Sequence, residues 1–357
     1  MFQENLKLSK AQESMTIPVN NSIAALSSSA RSRGQDARLE RRLEEIQSVL
    51  GEDLVWVERG LAEAVKTGPS PANEAAAHLV SRGGKRIRPL ALLLSAACFG
   101  PITPVARELA VVAELVHSAT LLHDDVVDEG TERRGAPTAR RVFGNAVSVL
   151  AGDLLLVNAL ERTLEHAPDV LPDLVLTLRR LVEGEIVQLR GRTQLDVSEA
   201  TYERVLRDKT ASLFAWAART GARLARASAA DQERMSGFGE RLGIAFQLVD
   251  DVLDYSGERT GKTLLGDLRE GKLTLPLVLA VARDPDLAEP LSRIHAGDQG
   301  PVEAVSRRVV ASGACEEARH RARRFTDAAI EALRGITAGP ARALLEAVTS
   351  QLAERAS

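Results

Sequence analysis

Apolar positions recur every three or four residues along most of the chain, which is the spacing of one face of an α-helix. Two clear runs are Leu43, Ile46, Leu50, Leu54 and Val57, and Leu109, Val112, Leu115 and Leu122. Glycine and proline interrupt the pattern at intervals of helical length, and no stretch alternates apolar and polar residues between hairpin turns. The pattern predicts one all-α domain over residues 36–357, with no linker long enough to divide it.

The first 35 residues differ from the rest, since they are rich in Ser, Asn and Gln and show no sustained period. We expect a disordered extension there, because such a composition buries too little apolar surface to fold. This segment lacks the apolar core of a secretory signal, and the longest uncharged run of the chain is broken by prolines. The sequence therefore predicts no transmembrane segment and a cytoplasmic protein, and its two cysteines are too few for a disulfide scaffold.

Charge and aromatic content add two constraints. The chain has 46 Lys and Arg against 49 Asp and Glu, a net charge of −3. This balance argues against a nucleic-acid partner, because non-specific nucleic-acid binding depends on an excess of positive charge. Aromatic residues make up only 3% of the chain, so the core must be built mainly from Leu, Val, Ala and Ile.

Two acidic clusters with the same spacing each follow an apolar helical run. They are Asp124, Asp125 and Asp128, and Asp250, Asp251 and Asp254. Carboxylates four residues apart share one helix face and repel each other, and they lie at helix C-termini, where the helix dipole disfavours them. Carboxylates combined with substrate phosphates are the usual ligands of Mg²⁺. The clusters therefore favour a pair of Mg²⁺–phosphate sites over solvated helix ends.

Basic and polar residues that could complete a phosphate site lie at several places along the chain. Lys85 and Arg88 follow the glycine pair Gly83-Gly84, where the backbone can approach an anion closely. The others are Arg133 and Arg134, His117, Lys209 and Thr210, Gln247, Lys262, and Lys272. Arginine side chains bind phosphate oxygens in a bidentate manner, so the adjacent pair could serve two phosphate groups.

With these motifs together, the chain resembles the trans-prenyl diphosphate synthases of the polyprenyl synthetase family over roughly residues 40–355. The resemblance rests on six motifs in order, at residues 83–89, 123–128, 133–135, 209–210, 246–255 and 271–276. It implies a helical bundle of the isoprenoid-synthase type around a deep central cavity, a homodimer, and three Mg²⁺ ions per active site with substrate bound.

The resemblance also implies a role for each matching residue. Isopentenyl diphosphate would be bound by Lys85, Arg88, His117 and Arg134. The allylic prenyl diphosphate would be bound by Arg133, Lys209, Thr210, Gln247 and Lys262. The catalytic set would be Asp124, Asp125, Asp128, Asp250, Asp251, Asp254 and Lys209, with Asp124, Asp128 and Asp250 as metal ligands.

Product length is expected to depend on two small residues before the first acidic motif, Ala119 and Thr120. Within the family, large rings at these positions stop elongation early, so the sequence resembles the long-chain synthases that make quinone side chains. Two alternatives stay open: a short-chain farnesyl or geranylgeranyl diphosphate synthase, and a non-catalytic partner subunit of a heteromeric synthase. A terpene cyclase is disfavoured, because the second motif is fully acidic and an isopentenyl diphosphate site is present.

One departure from the family pattern lies in the loop after the second acidic motif. Leu265 stands where the family usually has glycine. If the backbone has a positive φ there, leucine costs conformational energy and the loop is expected to rearrange. This departure puts the role of Lys262 most in doubt.

Overall fold

The structure is a computed structural model that describes residues 36–255 and 265–354. The helices are α1 (Asp36–Ala64), α2 (Ala72–Val80), α3 (Ile87–Ala97), α4 (Pro104–Val127), α5 (Ala139–Phe143), α6 (Asn145–His166), α7 (Leu171–Gln194), α8 (Glu199–Val205), α9 (Ser212–Leu224), α10 (Ala229–Leu253), α11 (Gly266–Arg269), α12 (Leu275–Arg283), α13 (Ala288–His295), α14 (Val302–Ala311), α15 (Ala314–Leu333) and α16 (Pro340–Glu354). A π-helix, Leu206–Ala211, joins α8 to α9, and 3₁₀ turns cover Pro168–Val170 and Pro285–Leu287. Lys262 and the predicted extension over residues 1–35 lie outside the described residues.

Within the described ranges, the sole strand pairing is a short hairpin between α4 and α5. Its strands β1 (Glu132–Arg133) and β2 (Ala136–Pro137) pair antiparallel. The two residues that join them, Arg134 and Gly135, both have positive φ, as in a type I′ turn. Two-residue strands are too short to produce an alternating pattern, so the hairpin was not predicted. The predicted all-α class is confirmed.

Two clusters of buried apolar side chains form the core, and most of their members are Leu, Val and Ala. Small residues bring helices α3, α9 and α10 very close. A Cβ atom on Gly221 of α9 would lie 2.2 Å from the carbonyl oxygen of Leu92 in α3. One on Gly239 of α10 would lie 2.3 Å from the carbonyl oxygen of Phe214 in α9. With few aromatic rings, the chain packs backbone against backbone instead.

The polar motifs lie at the ends of the longest core helices. The first acidic motif occupies the last turns of α4, and the second occupies the end of α10. The segment from α11 to the start of α12 contacts both acidic motifs. Across residues 36–255 and 265–354, the helices fall short of the length and apolar character that a membrane span requires.

Candidate active site

Each predicted metal ligand of the first acidic motif is paired with a lysine. The distance from Asp124 Oδ2 to Lys209 Nζ is 3.4 Å, and that from Asp128 Oδ2 to Lys272 Nζ is 2.7 Å. Asp128 is the C-terminal cap of α4, and its N–H donates to the carbonyl of Asp124. The like charges on this helix face are therefore stabilised by cations from two other parts of the chain.

Lys209 lies in the π-helix and is almost surrounded by acidic groups. It forms an ion pair with Glu185 of α7 in addition to Asp124. Burial lowers the pKa of Lys209, but Asp124 and Glu185 raise it more, so the ammonium stays charged. A Cβ atom on Gly184 would lie 2.8 Å from the backbone nitrogen of Lys209, so α7 packs directly on the π-helix. π-Helical turns are frequent at functional sites.

Lys272 is the second cation at the first acidic motif. Besides Asp128, its Nζ lies 2.7 Å from Glu270 and 3.9 Å from Asp267. Although burial lowers the pKa of Lys272, Asp128 and Asp267 raise it above the ordinary lysine value. The sequence listed Lys272 among the basic residues that could complete a phosphate site, but assigned it to neither substrate. Glu185 carried no signal in the sequence.

Asp251 of the second motif is held by three hydrogen bonds. It accepts from the Tyr202 hydroxyl at 2.7 Å, the Gln247 amide at 2.9 Å and the Leu275 backbone N–H at 3.0 Å. Burial raises its pKa to about 7, although these donors act in the opposite direction. Thr210 donates to the other end of the Gln247 amide at 3.3 Å. Asp251 therefore links α8, α10 and α12, and reaches the π-helix through Gln247; both of its oxygens accept hydrogen bonds from the fold.

The other two carboxylates of the second motif differ from each other. Asp250 is half-buried, whereas Asp254 is buried and accepts from the Gly266 N–H at 3.0 Å. The backbone of Leu265 is left-handed, with φ 58°, so the positive φ considered in the sequence is present. Its side chain is only 3% exposed and packs in the second core cluster, which offsets part of the conformational cost. Leucine at this position thus retains the left-handed backbone.

The hairpin positions two arginines differently. Arg133 contacts Asp125, with Nε and Nη2 at 2.8 and 2.7 Å from the same carboxylate oxygen. Burial raises the pKa of Asp125 despite this partner. Arg134 points elsewhere: a Cβ atom on Gly84 would lie 3.0 Å from Arg134 Nη2. The adjacent arginine side chains therefore lie in two different places, and their service to two phosphate groups stays a prediction.

The residues predicted to bind isopentenyl diphosphate form a half-buried cationic pocket. Arg88 stacks over Phe214 at 4.5 Å, Lys85 over Phe246 at 5.4 Å, and the two ring centroids are 5.8 Å apart. Arg88 Nε is buried without a hydrogen-bond partner.

The positive charge of this pocket is only partly compensated by carboxylates. Burial lowers the pKa of Arg88 and that of Arg134 to about 10 each, with only partial compensation from Glu114. Burial also lowers the pKa of His117 well below its usual range, and Arg88 and Arg134 lower it further. Uncompensated buried cations are costly, so the pocket suits a strongly anionic ligand.

The two predicted chain-length residues have different environments in α4. Ala119 is fully buried in the first core cluster, whereas Thr120 is half-buried and its hydroxyl donates to the carbonyl of His117 at 2.8 Å. Neither position carries a large ring that would fill the space beside the helix.

The carboxylates fit a metal that binds together with its substrate. Throughout the described part of the chain, no group of three or more His, Cys, Asp or Glu side chains could hold a metal by itself. The available donors are hard oxygens in pairs, which suits Mg²⁺ completed by diphosphate oxygens. Lys209 and Lys272 neutralise Asp124 and Asp128 in the structure as it stands.

The chain is similar to known proteins over most of its length. Residues 69–311 match the family described as Polyprenyl synthetase. The chain is 38% identical over 309 residues to octaprenyl diphosphate synthase of Escherichia coli, covering 85% of this chain and 96% of that protein. It is 35% identical over 318 residues to heptaprenyl diphosphate synthase component 2 of Geobacillus stearothermophilus, covering 88% of this chain and 99% of that protein. A polyprenyl synthase structure from Caulobacter crescentus, complexed with calcium and isoprenyl diphosphate, matches with TM-score 0.81 and 36% identity, over 88% of this chain and 96% of that chain.

Proposed function

Because the chain belongs to the polyprenyl synthetase family, we propose that it condenses isopentenyl diphosphate head-to-tail with an allylic diphosphate to give a long all-trans polyprenyl diphosphate. The predicted family and the trans-prenyltransferase class are confirmed by the comparisons. The observation that carries the reaction is the pairing of two different sites. One is a row of lysine-paired carboxylates, and the other is a pocket of cations whose charge Glu114 compensates only in part.

The cationic pocket would hold isopentenyl diphosphate. Arg88 and Arg134 supply bidentate donors for its diphosphate, and Lys85 adds a third positive charge. The low pKa of His117 keeps its imidazole neutral near pH 7, so it would donate one hydrogen bond without adding charge. The Phe214 and Phe246 rings lie against the Arg88 guanidinium and the Lys85 ammonium, respectively, and stabilise these charged groups by cation–π contact.

The acidic rows would hold the allylic diphosphate. Asp124, Asp128 and Asp250 would bind Mg²⁺ together with diphosphate oxygens, and the bound metal would neutralise charge on the leaving diphosphate. A calcium complex of a 36% identical relative supports a divalent-cation site, and a count of three ions stays a prediction. Lys209 and Lys272 would then be released from the carboxylates and reach the diphosphate oxygens. Arg133, Thr210, Gln247 and Lys262 would complete this site, while Asp251 positions Asp250.

The chemistry follows from bringing the two sites together. Cleavage of the allylic C–O bond gives a carbocation and diphosphate, and the surrounding cations stabilise the departing anion. The double bond of isopentenyl diphosphate supplies the electron pair of the new C–C bond. Loss of a proton, which the departing diphosphate would accept, restores a double bond. Exclusion of water protects the carbocation from hydrolysis.

The length of the product would depend on the space beside α4. Ala119 and Thr120 leave room for a growing chain, which agrees with relatives named for eight- and seven-unit products. A role of the product as a quinone side chain, and a cytoplasmic location, stay predictions from the resemblance.

The proposed assembly is a homodimer built on α6 and α7. Both helices expose apolar residues seven positions apart, which is the heptad spacing of packed helices. They are Leu150, Val157 and Leu164 on α6, and Val175, Val182 and Leu189 on α7. Each of these side chains is at least 43% exposed, and an apolar face of this kind marks a protein contact.

Sedimentation of the wild type and two surface variants tests the dimer. Val182→Lys should dissociate it, because a lysine would be buried in an apolar interface. Val310→Lys is the matched control, since Val310 is 50% exposed on α14, away from this face. A wild type that sediments as a monomer, or a Val182→Lys protein that stays dimeric, would contradict the assignment.

The direct test of the proposed function is elongation by the purified protein alone. Incubation with isopentenyl diphosphate, farnesyl diphosphate and Mg²⁺ should give long all-trans products on chromatography. Products that stop at geranylgeranyl diphosphate would favour the short-chain alternative. Because one relative is named as a component 2, absence of any product from the purified chain would favour a subunit of a two-part enzyme and would refute self-sufficient catalysis.

A further inference from the structure

Three arginines meet at the cationic pocket, and Arg86 differs from the other two. It is only 3% exposed and makes ion pairs with two carboxylates. Its Nε and Nη2 lie 2.7 and 3.1 Å from the two oxygens of Glu58, and its Nη1 lies 2.8 Å from Glu114. By contrast, Arg88 and Arg134 make no hydrogen bond or ion pair with any residue that the structure describes. Arg86 is therefore already satisfied in the absence of a ligand.

The Arg86 backbone has an unusual conformation at a critical point. Its φ and ψ are 47° and 35°, in the left-handed region, and it is the N-terminal cap of α3. A non-glycine residue keeps this conformation only where its surroundings impose it. The surroundings here are Glu58 on α1, Glu114 on α4 and the Val80 carbonyl at the end of α2, to which Nη2 donates at 3.3 Å.

This anchored residue lies between two predicted ligands of the diphosphate. Lys85 precedes Arg86 directly, and Arg88 follows in the first turn of α3. The backbone direction at residue 86 therefore sets where both side chains project. Gly84 contributes on the other side, since a Cβ atom there would lie 3.0 Å from Arg134 Nη2 and 3.2 Å from Arg86 Nη1. The missing side chain lets the anchoring arginine and the ligand-binding arginine lie close together.

Arg86 also neutralises two carboxylates beside the pocket. Glu114 is 2% exposed and interacts electrostatically with Arg88 and Arg134 as well as Arg86. Without Arg86, Glu58 and Glu114 would be two buried carboxylates beside the place where a diphosphate binds. They would then repel the diphosphate, or they would form ion pairs with Arg88 and Arg134 in its place.

We propose that Arg86 is a positioning residue of the isopentenyl diphosphate site, anchored by Glu58 and Glu114 so that Arg88 and Arg134 remain available to the anion and Lys85 is placed beside them. This inference rests on the proposed function. Arg86 does not touch the diphosphate; it holds the loop and keeps the two carboxylates neutralised.

Steady-state kinetics of Arg86→Lys test this role. Lysine keeps the charge but cannot bridge two carboxylates as the guanidinium fork does, so the KM for isopentenyl diphosphate should rise about tenfold. The KM for farnesyl diphosphate should stay within about twofold, because that substrate binds at the acidic rows. Arg107→Lys is the matched control. Arg107 also joins α4 to α1, through Asp53 at 2.6 Å, but takes no part in either proposed substrate site.

Arg107→Lys should lower the melting temperature without changing either KM. Glu58→Gln provides a milder second variant, since it keeps one acceptor for Arg86, and should raise the KM for isopentenyl diphosphate about threefold. If Arg86→Lys and Glu58→Gln lower only the melting temperature, as the control does, Arg86 has a purely structural role and the inference is overturned.

Calorimetric binding separates this inference from the proposed function. Isopentenyl diphosphate alone is titrated into the wild type and into Arg86→Lys. If the wild type binds it but makes no polyprenyl product, the proposed condensation fails, while a weaker affinity of Arg86→Lys still supports the positioning role. Equal affinities would overturn the positioning role whatever the activity.

Discussion

Replacing either of two neighbouring arginines by methionine should change the stability of the ligand-free protein in opposite directions. Arg88 is half-buried and only partly compensated by Glu114, whereas Arg86 is buried and paired with both Glu58 and Glu114. The substitution is the same at both positions and removes a charge of the same sign. The main difference between the two sites is the set of charged partners, so the comparison tests the electrostatic environment.

The expected gain for Arg88→Met follows from its pKa of about 10 in the folded protein. The difference from the ordinary arginine pKa corresponds to about 3 kcal/mol of destabilisation of the charged form. This penalty is present at every pH below about 10, where Arg88 is charged in both states, and is relieved only as the pH rises. Loss of the stacking on Phe214 subtracts about 1 kcal/mol. Arg88→Met should therefore be stabilised by roughly 1–2 kcal/mol, or about 2–4 °C in melting temperature.

The expected loss for Arg86→Met is larger and opposite in sign. Removing one member of a buried ion pair leaves uncompensated carboxylates and costs about 3–5 kcal/mol. Scanning calorimetry in phosphate-free buffer measures both variants, since phosphate would itself occupy the pocket. A second scan with isopentenyl diphosphate should raise the melting temperature of the wild type but not that of Arg88→Met. If Arg88→Met is destabilised like Arg86→Met, the pocket is not an unfilled anion site.

Three further outcomes are expected. Asp124→Asn should lower the elongation rate about a thousandfold with little change in melting temperature, because it removes a carboxylate from the metal site; near-full activity would refute the metal assignment. Thr120→Phe should shorten the products seen on chromatography. Ala119→Phe should shorten them too and should also destabilise the core by about 1–3 kcal/mol, because Ala119 is fully buried. Unchanged product length in both variants would show that these positions do not contact the growing polyprenyl chain. Leu265→Gly should destabilise the protein by about 1 kcal/mol in urea titrations, since the lost burial of about 2 kcal/mol exceeds the relief of about 1 kcal/mol from the left-handed backbone, and a more stable variant would show the opposite balance.

Local spacing made much of this protein predictable from its sequence. The helices follow from a repeat of three to four residues, and the i, i+4 carboxylates of the first acidic motif lie on one helix face because helix geometry requires it. The same local pattern could not distinguish Arg86 from Arg88. Their difference is set by Glu58 and Glu114, each 28 residues from Arg86 along the chain, in opposite directions. Long-range pairing of this kind leaves no periodic signal.

The sequence pattern also could not predict the π-helix. Residues 206–211 read as a continuation of α8 into α9, because one extra residue per turn barely disturbs an apolar repeat. The ion pairs of Lys209 depend on this π-helix, because Glu185 and Asp124 both approach that turn. The sequence identified Lys209 as a candidate site residue, but its pairing with Glu185 depends on the packing of α7.

The π-helix at residues 206–211 also limits which insertions and deletions this chain can tolerate. Its wider turn contains one more residue than an α-helical turn. Deleting a single residue would therefore give a continuous α-helix with its backbone hydrogen bonds intact. The deletion would change the orientation of the helices that follow, because α9 would rotate by about 100° relative to α8. Phe214 would then leave Arg88, and Gly221 would no longer face α3. Related sequences should therefore keep the number of residues in this turn constant, even where they vary at positions other than Lys209 and Thr210.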